Sequence, residues 1–127
     1  MAHRSRLATI IIDCNTDDID RATEFWARAL GYAARKAKDP SDGQYRVLDT
    51  PREQVTIATQ KVDHPSRVHL DIETDNLDAE VARLEKLGAK RVAFVKRWWV
   101  MEAPTGQRFC VVQPQRPDFP DGATEWP

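Results

Sequence analysis

The feature that most constrains this chain is that it runs through one pattern twice. "IIDCNTDDID" (Ile11 to Asp20) lies on "HLDIETDNLD" (His69 to Asp78), pairing Asp13 with Asp71, Thr16 with Thr74, Asp17 with Asp75 and Asp20 with Asp78. Each copy continues into a helical pattern that closes on Leu-Gly, at Leu30-Gly31 and Leu87-Gly88. The far ends match as well. "VLDTPREQVTIATQ" (Val47 to Gln60) lies on "VMEAPTGQRFCVVQ" (Val100 to Gln113), with Pro51 on Pro104 and Gln54 on Gln107. Two diverged copies of one half-domain account for these matches, so the fold is expected to consist of two like modules.

The local signals agree with that expectation. Asp17 and Asp75 are N-cap candidates, each with an acid three residues on that favours the helix dipole. Ile19, Ala22, Trp26 and Leu30 recur at helical spacing in the first copy, and Leu77, Val81, Leu84 and Leu87 in the second. Gly31 and Gly88 then suit the left-handed C-terminal position. Strand candidates follow: "AARKAK", "QYRVLD" and "QVTIATQ" in the first half, "KRVAFVK", "WWVME" and "RFCVVQ" in the second. Turns are expected at "DPSDG", "TPRE" and "APTG". Each half reads β-α-β-β-β, in an α+β protein with tandem modules at about residues 7–62 and 66–114. Halves of a ferredoxin-like repeat would be shorter. Joined side by side, two such half-sheets curl into a bowl with the helices outside. The tail "PQRPDFPDGATEWP", over 115–127 in the main, is Pro-rich and not expected to be regular; Phe119 and Trp126 are its candidate anchors.

Composition limits the functions open to such a domain. A chain of 127 residues, 41% hydrophobic and with formal net charge -1, can bury a core in a single domain. Its basic residues are scattered among acids, so no footprint for nucleic acid is present. The apolar run near the N-terminus stops at Asp13, too short for a signal-peptide core or a membrane span, and a cytoplasmic protein is expected. Cys14 and Cys110 lie far apart in strand-like segments and read as reduced, buried thiols.

"DIDRATEFWARALGY", "VHLDIETDNLDAEVARLEKLGA" and "VMEAPTGQRFCVV" carry a resemblance to the vicinal oxygen chelate superfamily of glyoxalases, bleomycin-resistance proteins and extradiol dioxygenases. The resemblance covers about Leu7 to Pro114, with Ala103 standing where the family's turn has aspartate. It implies a bowl of paired βαβββ modules and a homodimer. In metal-using members it also implies ligands on the first and last strands of each half. Those four positions here are Ile11, Ile57, His69 and Cys110. Isoleucine cannot donate, and one imidazole with one thiol underligates an ion, so neither a metal nor another cofactor is expected.

Strand alternation then places residues in the bowl. In "RVHLDI" the residues Val68, Leu70 and Ile72 should lie under a helix, with Arg67, His69 and Asp71 facing the cavity. The same phase adds Thr9, Ile11 and Asp13, then Val55, Ile57 and Thr59, then Arg108, Cys110 and Val112. Of the adjacent Trp98 and Trp99, one should pack in the core and the other should look into the bowl; Tyr45 and Arg46 match them in the first half. The expected ligand is a small organic molecule, with an aromatic one suited to that wall.

The readings are therefore ordered. First comes binding of such a molecule without a catalytic metal, through Ile11, Asp13, Tyr45, Ile57, Arg67, Trp98, Trp99, Arg108 and Cys110. Second comes a metal-independent lyase or isomerase with His69 as general base and Asp71 or Asp13 orienting it. A metal-dependent glyoxalase or dioxygenase comes third. Cys110 has no nucleophile signature around it, and His3 and His64 are expected to be solvated. The expected partners are the small-molecule ligand and a second copy of the chain, with no nucleic acid or membrane.

Overall fold

The computed structural model describes residues 2–35 and 43–127. Its elements run β1 (His3–Asn15), α1 (Ile19–Leu30), β2 (Tyr45–Val47), β3 (Thr56–Val62), β4 (Arg67–Thr74), α2 (Leu77–Lys86), β5 (Lys90–Val95), β6 (Trp98–Glu102), β7 (Arg108–Val112) and β8 (Thr124–Trp126). Strand, helix and strands recur in two successive passes, which is the expected α+β class. The expected strand "AARKAK" is represented by one bridge, Ala34 to Leu48. Lys36 to Lys38, and all of "DPSDG" except Gly43, lie outside the described residues. No helix is long and apolar enough to cross a membrane among the described residues.

The chain divides into two compact units, Thr9–Val68 and the residues up to Ala8 together with His69–Pro127. In the first, β1 and β3 pair in parallel from Thr9↔Thr56 to Asn15↔Val62. A parallel pair needs a crossover, and α1 supplies it. β2 then pairs antiparallel with β3. In the second unit β4 and β7 are parallel and β5, β6 and β7 form an antiparallel run. Here α2 makes the crossover. Val81 and Leu84 of α2 pack on Met101 and Val111, with Ile72, Trp99 and Phe109 around them. Full burial of each such side chain contributes about 1.5–3 kcal/mol.

Both helices begin one residue later than expected. The N-caps are Asp18 and Asn76, whose side chains accept from the Arg21 and Ala79 amides. Thr16 and Thr74 in turn accept from the Asp18 and Asn76 amides, so the repeated threonine organises each start. Asp75 is engaged elsewhere, by the backbone amide and guanidinium of Arg4. Gly31 takes the expected left-handed conformation, with φ of 81°.

The buried stripe of α1 is Ile19, Thr23 and Ala27, not the expected Ile19, Ala22, Trp26 and Leu30. In α2, Val81 and Leu84 are buried as expected, but Leu87 caps the helix end and is exposed. Val68 and Leu70 are also exposed, at 55% and 43%, because only Ile72 reaches the α2 core.

The tail is regular, contrary to expectation. β8 pairs antiparallel with His3–Ser5 of β1, and the Trp126 indole donates to Ser5 Oγ at 2.9 Å while Arg83 stacks on its ring. Phe119 lies under Arg6. Both expected anchors are therefore used, and the hydrogen bonds of the paired strand explain why a Pro-rich segment orders. His3 is buried rather than solvated, its Nε2 2.8 Å from Glu80 Oε1. His64 is half-buried, with Nδ1 2.9 Å from the Pro65 carbonyl oxygen.

Candidate functional site

Each sheet has one face under its helix, and the residue pairings decide which side chains lie on the other. In the second unit Ile72 and Val111 are paired and both point at α2. Alternation therefore sends Asp71 and Cys110, the adjacent pair, to the opposite face. His69 joins them from two residues earlier on β4. Donor atoms of His69, Asp71 and Cys110 all lie within 4.8 Å of one another, and all three residues are half-buried. His69 Nε2 is 3.5 Å from Asp71 Oδ1, close enough for the carboxylate to orient the ring and stabilise its charged form.

The same argument separates the tryptophans. Trp99 pairs with Val111 and belongs to the α2 side, where it packs edge-on to Phe94 and under Arg91. Trp98 is thereby on the His69 face, as is Val100, which pairs with Cys110. The expected ligand-binding role of Trp99 is corrected by this packing. Arg108 shares the face but is held by Glu102 across the strand pair, Nε to Oε1 at 3.3 Å.

Glu73 continues the row of His69 and Asp71 and was not anticipated. It is fully buried, accepting from Arg6 Nε at 2.7 Å and from the Gln115 and Arg116 amides. Arg6 also reaches Asp118, and that bond holds the Asp118 carboxyl below the usual carboxylate range. The tail thus anchors on the same face of β4 that carries His69. The signal was present in "HLDIET", where the alternation of polar residues runs on past Asp71.

In the first unit one strand is out of the expected phase. Thr59 Oγ1 lies 2.7 Å from Thr23 Oγ1 of α1, so Thr59 and, by alternation, Ile57 point to the helix. Arg46, paired with Thr59, does likewise and meets Asp20. The residues on the other face are Thr9, Ile11 and Asp13 with Thr56, Ala58 and Gln60, joined by Tyr45. Ile11 and Asp13 are buried there as expected, and Arg67 Nε is 4.0 Å from Asp13 Oδ2. Ile57 is corrected to Ala58, which stands directly beside Ile11. Neither can donate to a metal. The four-position centre that the superfamily resemblance implies therefore does not fit this chain: two of its positions are hydrocarbon. Cys14 lies elsewhere, buried; burial, then Asp13, pushes its thiol up.

Two cavities lie elsewhere. One of about 750 Å³ is lined by Thr23, Ala27 and Tyr32 with Arg28, Arg35 and Arg46, and another of about 460 Å³ by Asn76, Phe94, Trp99 and Gln113 among others. Of the anticipated ligand-binding residues only Trp99 lines either.

The model of the family described as "Glyoxalase-like domain" matches residues 9–112. Among solved structures, methylmalonyl-CoA epimerase from Mycobacterium tuberculosis is similar at 19% identity and a TM-score of 0.60, over 87% of this chain and 88% of that one. A glyoxalase/bleomycin resistance protein/dioxygenase superfamily member from Vibrio splendidus 12B01 follows at 16% and 0.57, over 87% and 99%. An extradiol ring-cleaving dioxygenase from B. fuscum is similar at 16% and 0.56, where the match spans 87% of this chain and 33% of that one. At these identities the likeness is one of fold. No curated protein matches the chain in sequence.

Proposed function

The chain belongs to the glyoxalase-like domain family, and from that premise we propose that it binds a small organic molecule on the sheet face of His69, Asp71, Cys110 and Trp98, without the four-position metal centre of the superfamily's metal-using members. One observation carries this reading: three polar side chains converge within 4.8 Å beside an indole, on the sheet face opposite α2. Such a surface offers stacking to a planar group and hydrogen bonds to its substituents. The family hosts both enzymes and binding proteins, so the site and not the fold has to carry the assignment.

The 3.5 Å approach of His69 to Asp71 favours a second reading, in which His69 takes a proton from the bound molecule and Asp71 positions the ring. A homodimer also belongs to this proposal; the exposed Val68 and Leu70 of β4 support it, and sedimentation velocity reads it directly.

The test is a fluorescence screen of aromatic carboxylates and phenols in chelator, followed by His69→Ala and Trp98→Phe. Binding that shifts emission in the wild type, persists without the shift in Trp98→Phe, and weakens in His69→Ala supports the reading. Unaltered affinity in His69→Ala removes this face from the account. Solvent-proton exchange into a bound ligand, abolished in His69→Ala, would establish the second reading.

A further inference from the structure

We propose that His69, Asp71 and Cys110 form a site for a thiophilic divalent cation, zinc above all, held entirely by the second module. The set differs from the superfamily's four positions, since Asp71 is not one of them and no residue of the first module takes part. It arises from sheet geometry. Asp71 and Cys110 are neighbours across the parallel β4–β7 pair, and His69 stands one alternation along β4 on the same face. The three donors can thus approach one ion while the backbone stays in place.

Their chemistry selects the ion. An imidazole, a carboxylate and a thiolate make a borderline-soft set suited to zinc and poor for magnesium or calcium, which take oxygen donors. Zinc bonds of about 2.0–2.3 Å require tetrahedral donor separations of about 3.2–3.8 Å. The observed maximum of 4.8 Å is closed by side-chain rotation over about one ångström. Side-chain exposures of 15% for His69 and 17% for Asp71 leave room for a fourth ligand from solvent or from a bound molecule. On binding, Cys110 forms the metal–sulfur bond and its thiol proton leaves to solvent, so affinity rises with pH. The inference concerns the face described above but does not rest on the ligand-binding reading, which is tested in chelator.

The experiment uses untagged full-length protein, stripped with chelator and titrated with zinc by calorimetry and with cobalt(II) by absorption. One zinc per chain is expected, with a thiolate-to-cobalt charge-transfer band and the visible bands of a four-coordinate site. Cys110→Ser should abolish the charge-transfer band, and Asp71→Asn should weaken zinc by more than the ~10–100-fold typical of losing an outer-shell partner. Cys14→Ser should leave both unchanged. A wild-type cobalt spectrum without the thiolate band overturns the proposal and needs no variant to fold. So does zinc binding that survives Cys110→Ser, in protein whose near-ultraviolet dichroism is native, or a thiolate band that disappears in Cys14→Ser.

Discussion

Thr23 and Thr59 share a buried hydrogen bond, 2.7 Å between hydroxyl oxygens, that ties α1 to β3. Thr23 also donates to the Ile19 carbonyl at 2.6 Å, which commits its one proton. Thr59 must then be the donor between the two. This sets the phase of β3, and with it the placement of Ile57 under the helix.

The two threonines should therefore respond unequally to removal of a hydroxyl. Thr59→Val leaves the Thr23 proton satisfied and should cost about 1 kcal/mol, whereas Thr23→Val strands the buried Thr59 donor and should cost about 2 kcal/mol. Urea denaturation reads both. Equal costs, or a larger one for Thr59→Val, would contradict the assigned donor.

Glu80 makes stability depend on acid. Burial by itself raises its pKa, but hydrogen bonds from Arg83, His3 and Ser5 outweigh that and hold it below the ordinary 4.5. A depressed folded-state pKa gives stabilisation that is complete above the unfolded value and is lost as pH falls through the folded one. The wild-type urea midpoint should fall steeply below pH 4.5. Glu80→Gln should cost about 2 kcal/mol at neutral pH, where charged hydrogen bonds are lost, and should flatten that acid limb. A parallel acid limb in the variant would mean other carboxyls control it.

Glu73 anchors the tail. Its replacement by alanine removes the acceptor for Arg6 and for the Gln115 and Arg116 amides, leaving a mostly buried guanidinium with only Asp118. A loss of about 3 kcal/mol is expected, as for other broken buried pairs. Amide exchange should rise first over 115–121. Retained protection there would show that β8 and Trp126 alone hold the segment.

The tryptophan pair separates packing from the open face. Trp99→Ala should cost about 3–5 kcal/mol through the cavity left beside Val111 and Phe94, while Trp98→Ala, on the less covered face, should cost well under that. Thermal melts of the two variants check the order. A reversed order would exchange the faces assigned to them.

Much was legible in the sequence because it rests on local chemistry. The doubled pattern, the threonine that starts each helix, the glycine ending α1 and the alternation of His69 with Asp71 are all short-range signals. The pairing of the repeats also brought out His69 and Cys110. What the sequence left open depended on where two segments meet. A strand's period of two carries no absolute sign, so "QVTIATQ" admits either phase until Thr59 meets Thr23, and "WW" admits either order until Trp99 packs against Phe94. The tail read as irregular because prolines dominate it, yet its last residues order against β1, a partner more than a hundred positions away. Asp71 and Cys110 stand 39 residues apart in the chain, and only the parallel pairing of β4 with β7 turns them into adjacent donors. Local sequence determined the elements and the residue types on offer; tertiary pairing, through hydrogen-bond register and burial, decided which of them share a face.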